Sequence, residues 1–146
     1  KSFTLTINQN QAPQKIKSIP DYGVVNYNQL SIQFEPITTL FSDPEGKTMT
    51  PMLMQANGNA LPSFLSYNQI TNVLSGTPLV MHVGEWPISY IAVDNDGQNA
   101  SITFKIIVKP CYFKCLSCTT DDYNQCTACK SGYYLQDSQC TTVCSF

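Results

Sequence analysis

All seven cysteines of the chain lie after residue 110, at positions 111, 115, 118, 126, 129, 140 and 144. Such density in a short segment belongs where thiols oxidise, outside the cell. A stretch of about 35 residues cannot bury enough apolar surface to fold unaided, so its hairpins need covalent staples. Spacing alone leaves many connectivities open. It also offers a second chemistry, because Cys115 with Cys118 and Cys126 with Cys129 form two C-x2-C pairs of the kind that hold zinc. The seven residues between those pairs are few for a zinc ribbon, and three further cysteines would be left over, so disulfides are the favoured reading.

The rest of the chain has no cysteine and reads as strands. Phe3, Leu5 and Ile7 alternate with Ser2, Thr4 and Thr6 as a half-buried strand does. Phe104, Ile106 and Val108 repeat the pattern 101 residues later, counting from Phe3 to Phe104, about the length of one Ig-like domain. Residues 1–9 are therefore expected to be the closing strand of a preceding repeat or a strand donated to another molecule, with residues 10–13 as a linker. The simpler reading, that residues 2–8 open this domain, stays open.

Between those ends, Val24, Val25 and Tyr27, then Leu30, Ile32 and Phe34, predict two strands broken at Pro20, at Asn28-Gln29 and at Pro36. Asp43-Pro44-Glu45-Gly46 is a β-turn signal, and residues 48–55 a strand with Met49, Met52 and Met54 as adaptable filler. Residues 61–78 read as two short strands joined by a polar loop. There Phe64, Leu65, Tyr67, Ile70, Val73 and Leu74 are the apolar anchors, and Gly76 permits a tight turn between Pro62 and Pro78. Trp86, Ile88, Tyr90 and Ala92 alternate inward, and Asp94-Asn95-Asp96-Gly97 turns the chain into a terminal hairpin. No segment shows a helical period over about ten residues, so the body should be all-β, about seven to nine strands in two packed sheets.

Charged residues are only 12% of the chain, the eight basic ones are all Lys, and the net charge is −2. With no basic cluster, nucleic acid is not an expected partner. The surface must instead draw on 11 Asn and 11 Gln besides Ser and Thr, which suits glycans or burial in an assembly. No apolar run reaches the roughly 18 to 20 residues of a membrane span.

Four ordered motifs then carry a resemblance: Phe41-Ser42-Asp43-Pro44-Glu45-Gly46, Leu61-Pro62-Ser63-Phe64-Leu65, Ser75-Gly76-Thr77-Pro78, and the strand from Gly84 to Asp94. They are similar to the dystroglycan-type cadherin-like and Putative Ig families, with Phe64 where Trp is usual and Tyr90 where a smaller aliphatic residue is. The tail resembles the furin-like cysteine-rich repeat of growth-factor receptors, including Gly132-Tyr133-Tyr134-Leu135 after the fifth cysteine. The implied architecture is an Ig/cadherin-like β-sandwich over residues 10–110, followed by a small disulfide-stapled hairpin module over 111–146. The resemblance implies the pairs Cys111 with Cys118, Cys115 with Cys126 and Cys129 with Cys140, and leaves Cys144 unpaired or paired between chains.

Cadherins hold calcium between repeats, so Asp43, Glu45, Asp94 and Asp96 are the candidate ligands if their two turns meet; ordinary turn roles are the alternative. No other cofactor is implied. Asn99-Ala100-Ser101 is an N-glycosylation sequon. His82, the sole histidine, sits where a turn or strand residue is ordinary, and no nucleophile and base stand in a recognised catalytic motif, so no enzyme is expected. The expected role is an extracellular or cell-surface structural or adhesion segment whose partners are other protein domains, through self-association or tandem repeats. The alternative is a filament subunit that donates Phe3, Leu5 and Ile7 to a neighbour's sheet.

Overall fold

The computed structural model describes residues 9–142; Phe3, Leu5, Ile7 and Cys144, and with them the donated strand and the leftover thiol, lie outside the described residues. In chain order the strands are β1 (Gln14–Lys15), β2 (Tyr22–Val25), β3 (Leu30–Gln33), β4 (Phe41–Ser42), β5 (Met49–Gln55), β6 (Leu65–Asn68), β7 (Val73–Gly76), β8 (Gly84–Asp94) and β9 (Asn99–Lys109). The tail adds β10 (Cys115–Cys118), β11 (Cys126–Cys129), β12 (Tyr134–Gln136) and β13 (Gln139–Thr141).

A four-stranded sheet runs β2-β9-β8-β5 and faces a three-stranded sheet β3-β7-β6; β1 pairs with β4 at one edge. The long antiparallel hairpin of β8 and β9 pairs Gly84 with Val108 through Val93 with Asn99. Its inward residues Ile88, Tyr90, Ala92, Ile102, Phe104, Ile106 and Val108 form the core with Leu30, Ile32, Phe34 and Leu74 of the facing sheet and its flanks. This is the period-2 pattern that the alternation predicts. β2 joins the other side of β9 in parallel, Tyr22 against Ile106 to Val25 against Lys109.

Several expectations need correction. Tyr27 is not a strand residue: it adopts a left-handed φ of 68° and donates its N–H to the Pro78 carbonyl at 2.6 Å. In β5 the core positions are Met49 and Leu53, while Met52 is 42% exposed, because it belongs to the opposite face of the strand. Ile70 is 97% exposed at the tip of the β6–β7 loop, where the Asn68 side chain accepts the Ile70 and Thr71 N–H groups and sets the turn. Gly76 lies within β7 rather than at a tight turn. Its role is close approach: a Cβ there would stand 2.0 Å from the Phe64 carbonyl oxygen. One helical turn, Ile37–Leu40, follows Pro36, consistent with no longer helical period.

Tyr90 occupies the centre, 0% exposed, with ring centroids 5.0 Å from Phe34 and 6.2 Å from Phe41. Its hydroxyl donates to Asn72 Oδ1 at 3.0 Å, and the Tyr67 hydroxyl donates to the same oxygen at 2.6 Å. Asn72 has φ 55° and donates its Nδ2 to the Glu35 carbonyl, so one side chain serves a buried phenol, Tyr90, and a half-buried one, Tyr67, and fixes the loop beside them.

Candidate functional site

Three regions hold the residues singled out by the sequence: the pole where the linker enters, the opposite pole where the disulfide module joins, and the edges of the two sheets.

At the first pole, Asp43 Oδ1 accepts the N–H groups of Glu45 and Lys47, and Gly46 closes the turn with φ 71°. Asp94, 5% exposed, builds the second turn: its Oδ1 accepts the N–H groups of Asp96 and Gln98, and its Oδ2 accepts Asn10 Nδ2 at 2.8 Å. Burial pushes the Asp94 carboxyl up, but those hydrogen bonds and the Lys47 charge outweigh it and hold the group below the ordinary carboxylate range. Gln11 N–H donates to Glu45 Oε2 at 3.3 Å, and the Lys47 ammonium pairs with Asp96. The two turns thus meet, and the linker is tied to both.

This set does not fit calcium. Among the described residues, no three of these carboxylates bring oxygens within 4.8 Å of one another; the one group of metal-ligating side chains that close is Cys115, Cys126 and Cys140. Asn10 Oδ1 and Asp43 Oδ2 are buried without a donor, but the carboxylates do not converge into the set of about six to eight oxygens that calcium takes. Asp43 and Asp94 form the two turns with their carboxylates, whereas Glu45 accepts from the linker and Asp96 pairs with Lys47.

At the second pole, disulfides join Cys111 to Cys118, Cys115 to Cys126 and Cys129 to Cys140. These sulfurs are oxidised and have no thiolate to offer zinc, so the two C-x2-C pairs are not a metal site. β10 pairs with β11 and β12 with β13, and Val25, Tyr112 and Tyr133 pack around the cystines. The junction with the sandwich is bonded throughout. Buried Asn26 accepts the Cys111 N–H at 2.8 Å on its Oδ1 and donates its own N–H to the Lys109 carbonyl at 3.0 Å. Asn28 Nδ2 donates to the Thr119 carbonyl at 3.0 Å, and Lys109 pairs with Asp121 at 3.0 Å. Nothing in the sequence pattern marks Asn26 out; an Asn among many turn Asn residues carries no distinguishing signal.

His82 ends a 3₁₀ turn over Val80–His82. Its Nδ1 accepts the Leu79 N–H at 2.9 Å, its carbonyl accepts Trp86 Nε1 at 2.8 Å, and its ring stacks on Phe64 with centroids 4.6 Å apart. Phe64 also meets Trp86 edge-on at 5.4 Å, so these three rings pack as one unit. Asn99 and Ser101 are both exposed at the start of β9, leaving the sequon open to solvent.

At the sheet edges, β5 and β6 border a groove of about 560 Å³ lined by Met52, Leu53, Leu61, Leu65 and Tyr67, with Gln69 Nε2 reaching across to the Pro51 carbonyl at 2.9 Å.

The family model described as Putative Ig domain matches residues 12–109. The chain belongs to that family. Its Putative Ig domain is the two-sheet sandwich above, Ig-like, with the disulfide-linked hairpin module following it. A stretch of 35 residues is 46% identical to proprotein convertase subtilisin/kexin type 5 of Mus musculus, covering 24% of this chain and 2% of that protein. The chain thus spans a small fraction of the curated relative it matches. Among solved structures, an endo-fucoidan hydrolase of glycoside hydrolase family 107, MfFcnA9, is 23% identical with a TM-score of 0.54, covering 75% of this chain and 18% of that one. The SrpA adhesin of Streptococcus sanguinis is 14% identical with a TM-score of 0.49, covering 70% and 60%. The N-terminal Ig1-2 module of the Drosophila receptor protein tyrosine phosphatase DLAR is 14% identical with a TM-score of 0.48, covering 73% and 53%. At such identity the hydrolase shares a fold with this chain and nothing more; the other two are weaker likenesses.

Proposed function

We propose that this chain is a rigid extracellular spacer and contact segment of a larger surface protein, in which an Ig-like sandwich presents a furin-like cysteine-rich module. It acts through protein–protein contacts rather than catalysis. The junction carries this reading: Asn26 bonds both the last residue of β9 and the first cysteine, so the sandwich continues into the module without a free hinge. The three disulfides support an oxidising location, and the identity of the 35-residue stretch supports the furin-like assignment. The exposed Asn99 sequon fits passage through a glycosylating route.

Beads coated with the chain in one orientation test the contact role. Saturable clustering with identical beads, or saturable binding to intact cells that soluble chain competes away, is expected. Beads that stay dispersed and bind no cell contradict it.

A second reading, a filament subunit assembled by strand donation through residues 2–8, is supported by the groove between the open edges of β5 and β6. Deleting residues 1–9 separates the two: a filament subunit loses polymerisation in light scattering, whereas a spacer keeps its sandwich and its bead contacts.

A further inference from the structure

The pole at which residues 9–13 enter carries four carboxylates, yet these residues do not fit the calcium ion that the cadherin resemblance implies. One cation of the chain itself stands among them. We infer that the Lys47 ammonium is the cation this pole is built around, and that it ties the linker to the sandwich without metal.

Lys47 leaves the turn of Asp43 to Gly46 and reaches across to pair with Asp96 in the turn between β8 and β9. Its charge also acts on Asp94 and Glu45. Those two carboxylates are the ones that hold the linker, Asp94 through Asn10 and Glu45 through Gln11. One ammonium therefore joins two turns and offsets repulsion among the carboxylates, as a divalent ion does between cadherin-type repeats. A lysine side chain leaves this pole at a net charge of about −3 if all four carboxylates are ionised, which is why hydrogen-bond donors matter as much as the cation. They are present: six N–H groups, from Asn10, Gln11, Glu45, Lys47, Asp96 and Gln98, point at these oxygens. Asn10 Oδ1 and Asp43 Oδ2 have no donor, but among the described residues no three of the carboxylates converge closely enough to replace the water shell of calcium. The consequence is a linker whose attachment is indifferent to calcium and chelators, and sensitive to salt because Lys47 and Asp96 remain partly exposed.

The test uses the full chain and two variants. In the wild type, calorimetric titration with calcium chloride should show no saturable uptake, and the backbone amide resonances of Asn10, Gln11, Asp96 and Gln98 should not move between millimolar calcium and EDTA. Lys47→Met keeps the aliphatic stem and removes the charge; it should shift those four resonances and speed hydrogen exchange at Gln11. Lys47→Asp adds a fifth carboxylate and should show saturable calcium uptake in the same titration in which the wild type shows none. Saturable calcium uptake by the wild type that moves these amides overturns the inference. So does Lys47→Met leaving all four resonances and the exchange rate unchanged, a result that remains readable even where Lys47→Asp does not fold.

Discussion

A Cβ placed on Gly76 would meet the carbonyl oxygen of Phe64 at 2.0 Å, and the obstacle is backbone rather than a side chain that could swing aside. The sandwich is closed here by the approach of β7 to the chain entering β6. Gly76→Ala should therefore destabilise the domain toward the upper end of the roughly 1–3 kcal/mol typical of overpacking, read as a lowered urea midpoint at unchanged slope. Gly58→Ala is the control. Gly58 has φ 87° and open space around it, so only the left-handed backbone is strained there, by roughly 1–2 kcal/mol.

Asn72 answers the buried phenol of Tyr90 and the half-buried one of Tyr67 with one oxygen. Asn72→Gly keeps the left-handed backbone accessible and removes the acceptor, so it should cost about 1–3 kcal/mol for each hydroxyl left unpaired. Burial pushes the Tyr67 and Tyr90 phenols up from the ordinary value of 10.0. A raised phenol favours the folded state fully below that value and loses its contribution as pH rises past it. Absorbance titration should accordingly show Tyr67 and Tyr90, with Tyr22, ionising later than the exposed tyrosines, and urea midpoints should fall above about pH 10.

Asp94 gives the opposite dependence. Its folded carboxyl is held below the ordinary 3.8, so its contribution is complete above that value and is lost as pH falls through the lower folded one. Urea midpoints of the wild type should drop as the solution is acidified below about pH 4, and Asp94→Asn should flatten that drop while lowering the midpoint at neutral pH.

Reduction should act on one half of the chain. Each disulfide in these short loops contributes about 2–4 kcal/mol, and the module has little core besides its cystines. With a dithiol reductant present, amides of β10 to β13 should lose their hydrogen-exchange protection while Trp86 fluorescence stays folded. A sandwich that unfolds together with the module would show that Asn26 and Lys109 couple them more tightly than the core of β8 and β9 holds the domain.

How far the fold is legible in the sequence follows from the range of the interaction involved. β8 and β9 are eleven residues each, and their facing rows are readable because Ile88, Tyr90 and Ala92 alternate along one and Ile102, Phe104, Ile106 and Val108 along the other. Only at the end of β8 does a buried carboxylate, Asp94, take an inward place. The β6–β7 pair is readable from its loop, but Ile70 is not: in a four-residue loop set by Asn68, an apolar side chain has no face to hide on. The parallel pairing of β2 with β9 joins residues more than eighty positions apart and leaves no local mark. The reason for Gly76 is likewise a distance to another strand's backbone, invisible to a rule about turns. At the linker pole the acidic residues are conspicuous in the sequence, while the partners that decide their chemistry, Lys47, Asn10 and Gln11, carry no mark that sets them apart from other polar residues. The disulfide pairs are legible only through the family likeness, since spacing alone does not choose among connectivities.

The rigid spacer is tested most directly by ¹⁵N relaxation on the intact, oxidised chain. If the bond from the Cys111 N–H to Asn26 Oδ1, with Asn28 to Thr119 and Lys109 to Asp121, welds the two parts, amides in β8 and β9 and amides in β10 and β11 should report one shared rotational correlation time. Asn26→Ala combined with Asn28→Ala and Lys109→Ala should split it into two. A wild-type chain whose β10 and β11 amides already tumble faster than those of β8 and β9 would contradict it.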